Sequence, residues 1–420
     1  MRSSVLVIAG SFALGCSSSE PSSGPAAGGS AGWAGTGGGD GGSAVGADEQ
    51  RFQDLLAGLL EPEAALGDIA RSGGFPIETA AGPLFARLDD GGGPYSLAGD
   101  FNAWSPEPMT AQAGVYWRVR AVPSPDGARY KFVDGGGTFH ADPLARRYAW
   151  DDNGEISLVR ASAPHRERFP GVAGQGRPAR TVRVWVPGSA PTHHLYAHDG
   201  QNLFEPDAPF GGWRLHQSAG KQTLIVAIDN TGAGRMDEYT HVPDDIGSGP
   251  VGGHADAYAD FVELTVRPLV EQRYGAPTRT GVMGSSLGGL VSVHLMLRHP
   301  GRYDFVAALS GTFGWGSIGP HSSTLIERLA ALGKQPSALY LDSGGGPGSG
   351  CVDSDGDGIL DDSADAKDNY CETLQLYDVA AGTGYQPESD LFHWHEPGAP
   401  HNEAAWAARA FRPLGLFEAP

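Results

Sequence analysis

The stretch from Arg279 to Arg298 constrains this chain more than any other. Arg279–Met283 reads as a short strand, Leu287–Arg298 carries apolar residues at helical spacing, and Gly284-Ser285-Ser286-Leu287-Gly288-Gly289 joins them. A strand that ends in Gly-x-Ser-x-Gly and enters a helix at once holds the central serine on a sharp turn. The serine then stands over the helix N-terminus, where free N–H groups and the helix dipole favour an oxyanion. Ser286 is therefore the candidate nucleophile, and Ser285, at the variable position, is the poorer one. A plain Gly-rich turn is the competing reading; the strand before it and the helix after it argue against that.

The surroundings agree with this context. Val182–Val186, His194–Ala197, Leu224–Ile228, Phe305–Leu309, Ala338–Leu341 and Leu391–Trp394 are β-rich apolar runs. They alternate with helical patterns over Ala255–Tyr274, Leu287–Arg298, Thr373–Ala381 and Glu403–Phe411. Such alternation predicts an α/β domain over about residues 175–420, a doubly wound, mostly parallel sheet of the α/β-hydrolase kind, covered on both faces. A serine hydroxyl needs a base to become a nucleophile. In this fold the base is a late histidine that follows the acid in the chain, and His401 at the start of the last helix fits. His393 and His395 share one face of a predicted strand and resemble a metal pair. No third ligand stands at metal spacing, so they read as structural.

Several motifs fall in one order: His198-Asp199-Gly200-Gln201-Asn202-Leu203-Phe204, Asp229-Asn230 with Arg235 and Glu238-Tyr239, Gly284–Gly289, and His401-Asn402-Glu403 with Trp406. Together they resemble the Putative esterase family, which takes in esterase D, feruloyl esterases, enterochelin-type esterases and mycolyl transferases. The resemblance covers about Thr181–Phe417. It implies an oxyanion hole made by the backbone N–H groups of Gln201 and Leu287, and a substrate pocket near His198, Asp199, Asn202 and Ser285. It implies an acid a few residues after a strand ending in Gly, here Leu341-Asp342-Ser343-Gly344. There the sequence departs from the family with an acidic insertion, residues 351–371. With the insertion removed, Asp368 falls at the acid position; Asp353 and Asp342 are the alternatives.

The insertion has its own chemistry. Asp353-Ser354-Asp355-Gly356-Asp357-Gly358 places carboxylates at positions 1, 3 and 5 and Gly at 6, the opening of a Ca²⁺ loop. Asp361 falls at position 9. Ala364 replaces the bidentate Glu of an EF-hand, so the run resembles a thrombospondin type 3 repeat. A structural Ca²⁺ bound by Asp353, Asp355, Asp357 and Asp361 is expected, and no cofactor for catalysis. Cys351 and Cys371 bound the insertion and are expected to form a disulfide.

Upstream, residues 83–160 carry Leu97-Ala98-Gly99-Asp100-Phe101-Asn102-Ala103-Trp104, Gly114-Val115-Tyr116-Trp117 and Tyr130-Lys131-Phe132-Val133-Asp134. These resemble the early-set, immunoglobulin-like β-sandwich found beside isoamylases and in glycogen-binding modules. Trp104, Trp117 and Trp150 read as packing residues first and as sugar-stacking residues second. Residues 48–82 read as a helical segment led by Phe52, Leu55, Leu56, Leu59 and Leu60. Residues 17–47 are Gly, Ser, Ala and Pro and read as a disordered tether. Residues 1–16 read as an export signal: Arg2, a short apolar run, then Ala13-Leu14-Gly15-Cys16, which resembles a bacterial lipobox with Cys16 as the lipidated residue. A lipoprotein on the outer membrane or cell surface is expected, with plain secretion as the alternative.

Lysine and arginine number 29 against 49 aspartates and glutamates, a formal charge of −20. That excludes phosphate-backbone partners such as nucleic acid and leaves the membrane only an anchoring role through lipid. The expected function is a serine esterase acting through an acyl-enzyme on small-molecule or polysaccharide-linked esters, feruloyl or acetyl esters first. A siderophore esterase is the alternative within the same chemistry. A surface carbohydrate-binding lipoprotein, with the hydrolase body as scaffold, is the alternative outside it.

Overall fold

The computed structural model describes residues 42–188, 190–206, 208, 211–362 and 368–419, with side chains from residue 46 onward. The expected signal segment, Cys16 and most of the tether lie outside the described residues.

Six parallel strands form the heart of the molecule, in the spatial order Leu391–His395, Ala338–Ser343, Phe305–Leu309, Arg279–Ser285, His193–His198 and Thr223–Ile228. Their side chains alternate between two cores, as a period of two demands. Val306, Ala308, Leu339 and Leu341 face one core with the helix Leu287–Arg298. Phe305, Ala307, Leu309 and Tyr340 face the other with Trp406, Leu414 and Phe417 from the C-terminal helices. Both faces are thus dry, and the strands read as continuous apolar runs for that reason. The strand Arg279–Ser285 sits centrally in this sheet, so the residue after it emerges at the middle of the sheet's C-terminal edge.

Beyond Thr223–Ile228 the sheet turns antiparallel. Arg177–Val186 pairs with Thr223–Ile228 on one side and with His165–Gly174 on the other. The boundary expected at residue 175 therefore falls inside the hairpin formed by His165–Gly174 and Arg177–Val186. The sheet continues without a break through Arg147–Asp151, Gly154–Leu158, Arg129–Val133 and Ser96–Gly99. A second, four-stranded sheet, built on Gly82–Leu88 and Val115–Val119, packs over these last strands. Phe85 meets Tyr130 at 4.8 Å between ring centroids and Tyr95 meets Tyr116 at 5.3 Å across the gap. The two facing layers lie where the small sandwich was expected, but one of them is continuous with the large sheet.

The outer face of the four-stranded sheet is covered by the helices Gly42–Leu56 and Pro62–Arg71 through Phe52, Leu55, Leu66 and Ile69. The first helix starts at Gly42, inside the expected tether. Once Phe52 and Leu55 are buried, each added upstream residue gains a hydrogen bond without a new nucleation cost. It also stops at Leu56, before Gly58 at φ 73°, which leaves Leu59 and Leu60 exposed rather than in the core. Trp117 packs edge-on against Phe52 and Trp150 against Tyr148, while Trp104 lies near Phe139. The helical pattern Ala255–Tyr274 forms with a π-helical turn at Val262–Val266 in its middle. Among the described residues no helix is long and apolar enough to cross a membrane.

Candidate active site

The nucleophile turn forms where the strand and helix predict it. Ser286 has φ 56° and ψ −125°, a region closed to most side-chain-bearing residues, and its N–H is held by the Leu309 carbonyl at 2.9 Å. Such strain persists only where the surroundings over-determine it. A Cβ on Gly284 would lie 2.5 Å from the Gly288 backbone, so the strand can approach the helix this closely only with glycine there. The helix begins at Leu287 with no spacer. The N–H of a first helical residue has no partner inside its own helix, which leaves that of Leu287 as an available donor.

His401 precedes the helix Glu403–Arg409, whose N-cap Asn402 accepts a hydrogen bond from the Ala405 N–H at 3.0 Å. The cap fixes the helix start, and the Trp406 ring meets the imidazole edge-on at 4.8 Å between centroids. His401 Nε2 lies 3.0 Å from Ser286 Oγ, and Nδ1 lies 2.7 Å from Asp368 Oδ1. An ionised carboxylate only accepts, so the Nδ1 proton faces Asp368 and the Nε2 lone pair faces the serine hydroxyl.

The three candidate acids separate cleanly. Asp368 has a fully buried side chain and is the one hydrogen-bonded to His401. Its second oxygen accepts from Ser310 Oγ at 2.7 Å, from the Gly344 N–H and from Arg409 Nη2 at 3.4 Å. Asp368 and Asn369 both adopt left-handed backbone, φ 70° and 56°, just before the helix Tyr370–Gly382. Asn369 Nδ2 then reaches the Ser310 carbonyl at 2.9 Å and Thr312 Oγ1 at 3.2 Å. Asp342 lies on its strand and instead receives Arg409 Nε and Tyr340 OH, each at 3.0 Å. Burial pushes its carboxyl up to about 6 against the pull of Arg409. Asp353 lies in the exposed loop, where it accepts the N–H groups of Gly356 and Gly358.

The four residues expected to line a pocket are buried under the site. His198, Asp199, Asn202 and Ser285 are each at most 6% exposed. His198 Nδ1 shares a hydrogen bond with Tyr258 OH at 2.9 Å, and burial pushes its imidazole down to about 3, so it is neutral at working pH. Asp199 takes a bidentate pair from Arg235, both bonds at 2.8 Å, and a third bond from Asn230 Nδ2 at 2.7 Å. Burial acts to raise its carboxyl pKa, but the Arg235 charge and these bonds leave it lowered. Asn202 Nδ2 donates to Glu403 Oε1 at 3.0 Å, and the Trp213 indole donates to the other oxygen of Glu403. These contacts correct the pocket expectation. Parallel strands end in loops that bring polar groups together, and here most of those groups bond to one another, while His198 Nε2 and Asn202 Oδ1 are buried without a hydrogen-bond partner. Gln201 is half-buried on the same loop, and its Oε1 accepts the Asn230 N–H at 3.1 Å.

Other residues at the site escaped sequence reasoning. Thr312 Oγ1 lies 3.4 Å from Ser286 Oγ. Ser310 and Arg409 reach the acid from a strand end and from the helix Glu403–Arg409, and no local spacing announces that meeting. His393 and His395 pack at a tilt against Tyr377 and Tyr370, at 5.2 and 4.6 Å between ring centroids.

Cys351 and Cys371 are joined, so the insertion is tied to the first turn of the helix that follows Asp368. Within the insertion, one carboxylate oxygen each of Asp353, Asp355 and Asp357 come within 4.8 Å of one another. This set of hard oxygen donors fits a Ca²⁺ ion. Asp361 does not join them. It pairs back across the loop with Val352 and accepts from Ser354 N–H at 3.0 Å and Ser354 Oγ at 2.5 Å, which corrects its expected place among the ligands.

A Ser–His–Asp hydrogen-bonded chain at the C-terminal edge of a parallel sheet is the arrangement of serine hydrolases. Residues 177–342 match the model of the family described as Putative esterase; the matched span contains Ser286 and ends before Asp368 and His401. The chain is similar to the siderophore triacetylfusarinine C esterase of Aspergillus fumigatus, 32% identical over 142 residues, 31% of this chain and 48% of that protein. It is also similar to the uncharacterised protein YbbA of Bacillus subtilis, 26% identical over 28% of this chain and 49% of that protein. The chain thus spans about half the length of the curated relatives it matches. Among solved structures, the siderophore hydrolase EstB of Aspergillus nidulans is 21% identical, with a TM-score of 0.45 over 60% of this chain and 94% of EstB.

Proposed function

We propose that the protein is a serine esterase that cleaves carboxylic esters through an acyl-enzyme. The observation that carries this reading is the unbroken chain Ser286 Oγ–His401 Nε2, His401 Nδ1–Asp368 Oδ1, at 3.0 and 2.7 Å. His401 takes the serine proton as Ser286 attacks the ester carbonyl, and Asp368 holds the imidazolium that forms. The tetrahedral oxyanion is received by the N–H groups of Leu287 and Gln201; losing one such donor costs about 3–4 kcal/mol of transition-state stabilisation. His401 then returns the proton to the leaving alcohol. Water, deprotonated by the same histidine, releases the acid.

Two substrate classes follow from this site. The early-set resemblance of the N-terminal strands favours esters on carbohydrate, feruloyl or acetyl. The relative named as a siderophore esterase favours an ester siderophore. A panel containing feruloylated and acetylated oligosaccharides beside ester siderophores separates them. The class with the higher kcat/KM, with turnover absent in Ser286→Ala, names the substrate; no turnover of either class by folded wild type rejects the substrate reading. A lipid anchor at Cys16 and export to a membrane surface belong to the same proposal. A lipid mass on the intact protein that disappears in Cys16→Ala is its check.

A Ca²⁺ ion held by Asp353, Asp355 and Asp357 would neutralise the like charges of the insertion. With the disulfide it would hold the segment that ends at Asp368. Adding excess chelator is expected to lower the melting temperature and the turnover together. Melting and turnover that both stay in place under chelation would remove the ion from this account.

A further inference from the structure

Ser310 closes the strand Phe305–Leu309 in left-handed backbone, φ 48°, and is wholly buried. Its hydroxyl oxygen accepts from the Trp406 indole at 3.0 Å and from Arg409 Nη2 at 2.6 Å. Indole and guanidinium nitrogens only donate. Both acceptor positions of the hydroxyl are thereby filled, and its proton has one direction left, the Asp368 Oδ2 atom at 2.7 Å. The hydroxyl is wired as a one-way donor to the carboxylate. Trp406 and Arg409 lie three residues apart on the same face of the helix that follows His401, so one element sets both the base and the orientation of this donor.

We infer that Ser310, directed by Trp406 and Arg409, is the positioning residue of the triad acid: it holds Asp368 Oδ2 so that Oδ1 stays on His401 Nδ1. The inference rests on the triad reading above and extends it to the buried pair behind the acid. Asp342 belongs to that pair, since it takes Arg409 Nε at 3.0 Å and so divides the single guanidinium charge between two carboxylates. The charged groups around Asp368 are His401 and Arg409 from the C-terminal segment, Asp342 from the strand Ala338–Ser343, and Asp362 from the insertion, with the Tyr340 hydroxyl held on Asp342 behind them.

The roles of Ser310 and Asp342 have opposite signs, and this makes them testable. Ser310→Ala removes a donor from Asp368, leaves more negative charge facing the imidazole and holds the imidazolium more tightly. Asp342→Asn removes the competing anion, leaves the Arg409 charge to Asp368 and loosens the imidazolium. The measurement is the pH dependence of Ser286 labelling by a fluorophosphonate, which needs no known substrate, on the full chain with its disulfide intact. The acid limb of the labelling rate is expected to move up in Ser310→Ala and down in Asp342→Asn, by about half a pH unit or more each. A general loosening of the fold would lower the melting temperature and the amplitude without opposite displacements. If Ser310→Ala does not fold, Ser310→Gly takes its place, because glycine suits the left-handed backbone at φ 48° and likewise removes the donor: an upward shift supports the inference and an unmoved limb overturns it. Limbs unmoved in both labelled variants overturn it as well, whereas a folded wild type that takes no label overturns the triad itself.

Discussion

Ser286→Ala is expected to lower kcat for ester hydrolysis by about 10⁴-fold or more, with the folded state intact. The side chain removed is small and its backbone is held by the Leu309 carbonyl and the helix that starts at Leu287. Alanine meets the same steric limits at φ 56° as serine, so the turn carries neither more nor less strain. What is lost is the atom that forms the covalent bond. His401 keeps Asp368, and the N–H donors of Leu287 and Gln201 stay in place, so substrate affinity is expected to survive and a small residual rate with it. Steady-state kinetics beside a thermal melt make the comparison. Turnover within tenfold of wild type would mean that the chemistry lies elsewhere.

Asp368→Asn is expected to cost about 10⁴-fold in kcat, for a reason specific to this site. The Oδ2 atom of Asp368 accepts from three donors: Ser310 Oγ, the Gly344 N–H and Arg409 Nη2. An amide placed there will turn its oxygen to those donors and its NH₂ group to His401. Nδ1 must then accept, and the ring proton moves to Nε2, the nitrogen that faces Ser286. A base that already carries its proton cannot take another from the serine. The loss is therefore expected in kcat, with KM changed little and fluorophosphonate labelling of Ser286 slowed in parallel. Near-normal turnover in the folded variant would return the acid to Asp342 or Asp353.

The candidate nucleophile and candidate base were readable because their signals are local. The Gly-x-Ser-x-Gly turn spans five residues, and its signal lies in the strand before it and the helix after it. His401 is marked by the Asn402 cap and the helix behind it. The alternation of strands and helices likewise gave the parallel sheet, because burial on both faces writes itself into continuous apolar runs. The acid was open among three aspartates. An acidic insertion separates Asp368 from the strand that normally announces it, and no periodicity crosses such a loop.

The pocket residues were misplaced for a related physical reason. A motif reports that residue types occur together, not which way their side chains point. His198, Asp199 and Asn202 turn inward because loops at a sheet edge must satisfy buried donors and acceptors, and the nearest partners were Tyr258, Arg235 and Glu403. The N-terminal sandwich was drawn as a separate body because strand patterns do not tell which edges are free. In the structure the edge at Arg147–Asp151 is taken by His165–Gly174, and the two sheets become one.

By itself, then, the sequence indicated the parallel sheet, the serine on its turn and the late histidine, since each is marked by a local pattern of residues. Only the tertiary structure decided which aspartate meets His401 and what holds it. Ser310, Asp342, Asp368 and Arg409 come from four separate parts of the chain and meet in a buried space. There an unpaired carboxylate would be costly, and each group's partner is set by geometry that no linear spacing records.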